Sequence, residues 1–307
     1  MIKLLKYIFD RDYRFMINRG LGFYNDRDDK YYLQRCFESI YHSKVDFENP
    51  QTFIEKLQYL KLNNRKDEYT TYVDKYSVRD VIKEKLGEEF LIPLLGVWDN
   101  VEQIEFDNLP EKFVIKCNHN SGKGMYICKD KKQLNIECMK KELAQGLKED
   151  YYQICREWPY KNVKRKIIAE QYMENKNESD LVDYKFFCFG GEPVYCQVIR
   201  NRSTNETIDF FDMNWNHQPF TGVFASNEKI CPFSKETIQR PITFELMKKS
   251  AKILAEGIPF VRIDFYEINK KMYFGEITFF PGGGFGEFYP TEWNKTIGDM
   301  IDVKGIG

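Results

Sequence analysis

The sequence predicts an α+β fold. Three observations carry that reading: the first third is largely helical, the strands that follow are joined mostly by hairpins with helices interspersed, and no regular strand–helix–strand alternation marks a doubly wound sheet. The third observation is sharpest in the late stretch Phe260–Phe285, FVRIDFYEINKKMYFGEITFFPGGGF, which reads as two antiparallel strands.

The elements follow in order. Apolar residues recur at helical spacing over Lys30–Tyr41 and Thr52–Asn63, and Asn49-Pro50-Gln51-Thr52 supplies a start signal for the second. Lys75–Leu86 reads as a third helix, closed by Gly87. Phe90–Val97 reads as a short apolar strand. Phe113–Asn118 and Met125–Lys129 read as strands flanking the loop His119-Asn120-Ser121-Gly122-Lys123-Gly124. Leu134–Lys148 is a helix striped by Ile136, Met139, Leu143 and Leu147. Ile167–Met173 and Tyr184–Phe189 are strands, and Gly190-Gly191-Glu192-Pro193 turns into a strand over Val194–Ile199. Phe244–Glu256 is an amphipathic helix with Leu246, Ser250, Ala251 and Leu254 inward, stopped by Gly257. No internal repeat or low-complexity linker interrupts the chain.

The hairpin carries the chemistry. Val261, Ile263 and Phe265 alternate with Arg262, Asp264 and Tyr266; Met272, Phe274, Glu276 and Thr278 share one side of the second strand. A three-residue turn, Asn269-Lys270-Lys271, sets Asp264 opposite Glu276 and Arg262 opposite Thr278. A two-residue turn breaks this parity and sends the carboxylates to opposite faces. Cross-strand partners lie about 5 Å apart, where two like charges repel by roughly 3 kcal/mol at an effective dielectric of about 20. A divalent cation between them removes the penalty, and Mg²⁺ uses one or two carboxylates plus substrate phosphates. The alternative is a wet surface hairpin whose charges never meet. Pro281-Gly282-Gly283-Gly284 then lets backbone approach a ligand closely.

Composition bounds the rest. The 307 residues suit one lobed domain or two, and 46 basic against 47 acidic side chains argue against nucleic-acid binding. The eight cysteines form no CxxC pair; they read as reduced, buried and cytosolic rather than disulfide-bonded or zinc-bound. No apolar run reaches the about 18 residues of a membrane span. The first nine residues, MIKLLKYIF, make either a helix packed on the body or a weak amphipathic helix on a membrane surface, with Ile2, Leu5 and Phe9 together.

The loop NHNSGKGMY is glycine-rich but lacks the Walker A pattern and precedes a strand. It is either a flexible surface turn or a flap donating backbone N–H groups to a triphosphate. Lys116, two residues earlier, could point at the same phosphates.

Together these pieces resemble the ATP-grasp fold. More narrowly they are similar to the TupA-like ATP-grasp family, named for a teichuronopeptide-biosynthesis protein. The resemblance rests on Asn49-Pro50…Phe53…Glu55-Lys56-Leu57, Asp74-Lys75-Tyr76…Val78-Arg79, Leu91–Val97, Phe113–Gly122, Asp183–Phe187 and Phe260–Phe285, in that order from about Asp46 almost to the C-terminus. It implies two α+β lobes clamping ATP behind a mostly helical N-terminal region. The divisions fall at 1–111 (helical region), 112–172 (small lobe with the phosphate loop) and 173–307 (C-terminal lobe with the metal-binding hairpin).

The resemblance also implies roles. Lys75 and Lys116 are the nucleotide-binding lysines, Ser121, Gly122 and Gly124 the phosphate loop, and Glu170-Gln171-Tyr172-Met173 the hinge that reads adenine. Asp183 meets the ribose and Lys185 a phosphate. Asp264, Glu276 and Thr278 hold one or two Mg²⁺ ions, Thr278 standing where many relatives have asparagine. Arg262, with Lys116 and Lys185, steadies the transferring phosphoryl group.

On the acceptor side, Gly283 and Gly284 approach the substrate. His119 either contacts substrate or is held by backbone, and Arg200 and Arg202 either grip an acceptor carboxylate or sugar phosphate or form surface ion pairs. His42 and His217 read as structural. The implied activity is a cytoplasmic, ADP-producing carboxylate–amine ligase working through an acylphosphate on a carboxylate-bearing sugar or glycan precursor, possible peripheral contact with the inner membrane face included. The alternatives are a glycan kinase on the same fold, which needs a base near the acceptor oxygen, a glycosyltransferase, and a glycan-binding protein without turnover.

Overall fold

The computed structural model describes residues 2–175, 180–224 and 230–306. The chain opens with a helical hairpin, α1 (Ile2–Phe9) and α2 (Arg11–Gly20), joined at Asp10, whose carboxylate accepts from the Asp12 and Tyr13 amides. Helix α3 (Asp29–Tyr41) starts behind an Asp28 cap, and α4 (Phe53–Asn63) opens on a Thr52–Glu55 capping box, the start its sequence signals. Their inner faces bury Tyr32, Leu33, Cys36, Phe53 and Leu57 completely.

The helix expected over Lys75–Leu86 is α6 (Val78–Lys85), which starts three residues later than expected, and a further short helix, α5 (Glu68–Val73), precedes it. The Asp74 carboxylate accepts from Tyr76 N at 2.9 Å and Ser77 Oγ at 2.6 Å, a local turn that competes with helix. Lys75 therefore stands in the break between helices. Likewise the apolar run before β1 (Leu94–Trp98) is only partly strand: Glu88–Phe90 is a 3-10 turn, and pairing begins after Pro93, which has no N–H to donate.

A four-stranded antiparallel sheet, in the order β1-β4-β2-β3, forms the smaller layer. It contains β2 (Phe113–Cys117) and β3 (Met125–Cys128), then, after α7 (Ile136–Lys148) and α8 (Tyr151–Cys155), β4 (Ile167–Gln171). Met139 and Leu143 of α7 pack on Phe113, Ile115, Ile167 and Ala169 to give this layer its own core, while Ile136 at the end of the stripe is exposed.

The larger sheet runs β10-β9-β5-β6-β7. Its strands are β5 (Asp183–Phe189), β6 (Glu192–Arg200) and β7 (Thr207–Asp212), followed by β8 (Thr221–Phe224), helix α9 (Phe244–Ala255), β9 (Phe260–Ile268) and β10 (Lys271–Thr278). Strand β11 (Glu287–Tyr289) pairs with β8 ahead of α10 (Trp293–Gly298). Met247, not Leu246, turns inward from α9; Leu246 is exposed. No disulfide links the eight cysteines, but Cys138 is exposed and Cys155 and Cys231 only half-buried, against the expectation that all are buried.

The β9–β10 register corrects the sequence reading while reaching the same pairs. The turn has two residues, Asn269 and Lys270, both at positive φ (51° and 64°), and Ile268 pairs with Lys271. Such a turn should separate the carboxylates. A β-bulge between Phe274 and Glu276 restores the parity, so Asp264 pairs with Glu276 and Arg262 with Thr278 after all. The extra residue is Gly275, where a Cβ would lie 3.0 Å from the Asp264 carbonyl oxygen. Two irregularities cancel.

Candidate active site

A cleft of about 580 Å³ lies between the two sheets. The small sheet contributes Lys116 from β2, Ser121 and Gly122 from the loop, and Glu170, Gln171, Tyr172 and Met173 from the end of β4. Facing them from the large sheet are Asp183 and Lys185 of β5, Asp264 of β9 and Glu276 of β10, with Lys75 at the side. Adjacent strands put the acidic and basic groups in one row, since Lys185 pairs in register with Asp264 and Asp264 with Glu276.

The charges interlock. Arg262 donates from Nε to Asp264 Oδ1 at 2.7 Å, and from one terminal nitrogen to Asp264 Oδ2 at 2.8 Å, Glu276 Oε1 at 2.9 Å and Thr278 Oγ1 at 3.1 Å. Lys185 donates to Asp264 and lies 3.4 Å from Asp183, whose other oxygen meets Arg202 at 2.8 Å. Burial pushes the Glu276 carboxyl up, but Lys75, Arg262 and Lys185 outweigh it and hold the group down at about 2. Burial likewise depresses the Lys75 ammonium, with Glu276 its strongest counterweight. The repulsion expected between Asp264 and Glu276 is thus offset by Arg262 and Lys185, and their pairing alone does not require a metal.

The lysines on the other wall are also paired. Lys116 Nζ meets Glu170 Oε2 at 2.6 Å, and Arg79, absent from the sequence-derived set, meets Oε1 at 3.1 Å. The Glu170 side chain therefore neutralises cations of the cleft. Lys75 Nζ donates to the Asn120 carbonyl at 2.9 Å and ties the loop to the α5–α6 break. Gln171 N still bonds Pro93 O at 2.9 Å, whereas Tyr172 and Met173 lie past the last ladder pair of β4.

Other expected site residues stand elsewhere. Gly124 packs the loop on α7: a Cβ there would sit 2.8 Å from Cys117 Sγ and 3.0 Å from Gly146 Cα. His119 is buried, its Nε2 3.1 Å from the Glu149 carbonyl, which is the backbone-held alternative. Arg200 turns to Ser234 and Glu236, each at 3.5 Å, while Arg202 reaches the cleft wall. His217 pairs with buried Asp209 at 2.8 Å, and His42 ends α3 in a left-handed turn. Arg262 and Thr278 sit behind the carboxylates. Gly283 and Gly284 lie under α4, whose Lys61 Nζ donates to Gly283 O at 2.6 Å and whose Gln58 donates to Gly284 O at 2.5 Å.

One carboxylate escaped the sequence reading. Glu157, in the connection from α8 to β4, is 3% exposed and lies beside Gly283, with Oε1 3.9 Å from where a Cβ on that glycine would stand. Burial dominates its titration and lifts it to about 7, although Lys61, Arg262 and Lys75 pull down; Glu276 pushes it further up. Glu157 is not among the residues that line the cleft, although Lys75, Arg262 and Glu276 lie near enough to act on its charge. No periodic pattern surrounds Glu157 to announce it.

Whether nucleotide and metal fit can be judged from the donors. Glu276 Oε2 accepts from no protein donor among the described residues, and it belongs to a side chain on the cleft wall. Asp264 and Glu276 are hard oxygen donors of the number Mg²⁺ takes alongside phosphates, and lysines 75, 116 and 185 supply the opposing charge for those phosphates. Among the described residues no group of three or more His, Cys, Asp or Glu side chains gathers as an all-protein metal cage. The residues fit a substrate-completed Mg²⁺ site.

A cleft between two antiparallel sheets, with a glycine loop on one side and a carboxylate hairpin on the other, is the arrangement of an ATP-grasp fold. The model of the TupA-like ATP-grasp family matches residues 55–302, and the chain belongs to that family. ATP-grasp proteins are usually ATP-dependent ligases. No curated protein matches the sequence.

Solved structures similar to the chain include D-alanine–D-alanine ligase from Bacillus anthracis complexed with ATP, at 17% identity, 69% of this chain, 55% of that one and a TM-score of 0.40. Another is N5-carboxyaminoimidazole synthase from Aspergillus clavatus with ADP and 5-aminoimidazole ribonucleotide, at 10% identity, 68% and 44% coverage and a TM-score of 0.38. The biotin carboxylase domain of Hydrogenobacter thermophilus 2-oxoglutarate carboxylase with MgADP and bicarbonate follows at 16%, 68%, 40% and 0.36. The chain thus spans about half the length of these structures, and likenesses this distant add nothing to the family match. Among the described residues no helix is long and apolar enough to cross a membrane.

Proposed function

We propose that this protein is an ATP- and Mg²⁺-dependent carboxylate–amine ligase. The observation that carries the reading is the opposition, across one cleft, of the Asp264–Glu276 pair and the cations Lys75, Lys116 and Lys185 beside a glycine loop. Mg²⁺ bound at the carboxylates would neutralise phosphate charge. In the reaction, a substrate carboxylate oxygen attacks the γ-phosphorus of ATP, ADP leaves, and an acylphosphate forms. An amine then displaces inorganic phosphate to give an amide.

The chain contributes position and charge. Lys75 and Lys116 hold the phosphates, Lys185 and Arg262 offset charge on the transferring group, and Ser121 and Gly122 cover it. Glu157 takes the proton the ammonium must lose before it attacks; a group titrating near 7 is suited to that transfer. The family's association with teichuronopeptide synthesis supports a uronic acid or other carboxylate-bearing glycan precursor as acceptor and an amino acid or amine as donor, in a cytoplasmic setting.

Glu157 also favours one second reading, phosphoryl transfer to a sugar hydroxyl, because it is the base a kinase would need. Incubation with ATP, Mg²⁺, a uronic-acid glycan and an amine separates the two: ADP, free phosphate and an amide support the ligase, whereas a phosphosugar sinks it. Asp264→Asn and Glu276→Gln should each abolish turnover by about a hundredfold or more with the fold intact. Near-normal activity in either variant overturns the site.

A further inference from the structure

Helix α1 wears its apolar side outward. Leu4, Leu5, Ile8 and Phe9 fall on one arc of the helix, and they are 64%, 49%, 50% and 81% exposed. Its polar side does the packing. Tyr7 donates its hydroxyl hydrogen to Asn18 Oδ1 at 2.8 Å, Lys6 Nζ sits 4.9 Å from the centre of the Tyr13 ring, and Arg14 donates to the Tyr7 and Ile8 carbonyls at 3.2 and 2.7 Å. A surface helix ordinarily turns its apolar stripe to the core; this one is reversed. Ile17 of α2 and, in the turn after it, Leu21 and Phe23 are also exposed. Among the described residues, seven of the seventeen exposed large apolar side chains lie between Leu4 and Phe23, so the exposure is concentrated and marks an interaction surface.

Charge identifies the occupant. Residues 1–20 hold five Lys or Arg against two Asp, a balance of +3; the whole chain is −1, so the remainder carries −4. Lys3, Lys6 and Arg11 are exposed around the apolar arc. Two copies meeting through this face would bring like charges together, whereas an anionic lipid surface offers the opposite charge and a hydrocarbon boundary in one partner. We propose that α1 and the turn after α2 dock this protein on an anionic lipid surface, Leu4, Leu5, Ile8 and Phe9 entering the acyl boundary and Lys3 and Arg11 meeting headgroups. This rests on the exposed face alone and is independent of the ligase reading.

The test is co-sedimentation of the full chain with phosphatidylcholine vesicles, with and without phosphatidylglycerol. Binding should require the anionic lipid and weaken with salt. Leu5→Glu with Phe9→Glu should lower the vesicle partition coefficient by about tenfold or more, since each side chain forfeits its transfer into the boundary; melting temperature and ATP binding should stay unchanged. Lys3→Glu with Arg11→Glu should remove the preference for anionic vesicles. Failure to bind either vesicle overturns the proposal. So does a concentration-dependent dimer in vesicle-free buffer that the Leu5→Glu, Phe9→Glu variant dissolves, which would assign the face to a second copy.

Discussion

Two glycine-rich segments, one over the cleft and one packed under α4, use glycine for different reasons. In the 119–124 loop, Gly122 sits at φ +87° with nothing within 4 Å of where its Cβ would be, so only the backbone angle asks for glycine. In the 281–284 segment the surroundings ask as well. A Cβ at Gly283 would stand 2.7 Å from Cys155 Sγ, and one at Gly284 3.0 Å from Lys61 Nζ, both glycines also being at positive φ. The first loop stands over an open cleft; the second is clamped by Lys61 and Gln58 from α4. Glycine content alone does not distinguish a flap from a packed floor.

The largest expected effect breaks the floor. Gly283→Val forces a branched side chain into a left-handed backbone and onto the Cys155 sulfur. Strain of about 1–2 kcal/mol and overpacking of about 1–3 kcal/mol together predict roughly 2–5 kcal/mol of lost stability. Urea denaturation would measure it, and a loss below about 1 kcal/mol would mean that the segment yields freely.

Beneath that floor, Glu157 offers a second, smaller effect with a defined sign. Its carboxyl is raised from an ordinary 4.5 to about 7 in the fold, so the charged form is disfavoured there. Its contribution is favourable below about 4.5, is lost as pH rises through about 7, and stays lost above. Glu157→Gln should therefore flatten the decline of stability between those limits by on the order of 3 kcal/mol. The same variant should lower kcat by roughly a hundredfold and erase an acid limb of kcat/KM centred near pH 7. An unchanged rate profile together with the flattened stability curve would leave Glu157 a packing group only.

These two residues also mark where sequence reading ends. The hairpin was legible because strands β9 and β10 alternate over many residues, and the opposition of Asp264 and Glu276 came out right. Its cause did not. Asn-Lys lacks the glycine that usually announces a two-residue turn with positive φ, and Gly275, a glycine inside a strand pattern, was the one available sign of a bulge. Of the cleft lysines, Lys116 was legible in the residues themselves, two positions before the glycine loop, whereas Lys75 and Lys185 were placed by the family resemblance. Lys61 was legible in neither way: on α4 it has the spacing and chemistry of a solvated lysine, yet it is fully buried between Gln58, Gly283 and the Phe285 ring. Such burial is decided by what the C-terminal residues lay over the helix, hundreds of positions later, and no local pattern contains it.

The smallest stability effect belongs to the open loop. Gly122→Ala meets no atom, so only the left-handed backbone angle resists it, at about 1 kcal/mol. Its functional effect should exceed its structural one. The loop is tied down by Lys75 at the Asn120 carbonyl, by Lys123 to Glu149 at 2.9 Å and by a hydrogen bond between Ser121 and Tyr151, which leaves Gly122 as the span to follow a phosphate. Stiffening that span with a side chain should weaken ATP binding by about tenfold, read by titration calorimetry, while the melting temperature moves by only a few degrees. Equal losses of affinity and stability would show that this loop, like the 281–284 segment, is part of the packed structure rather than a cover over the nucleotide.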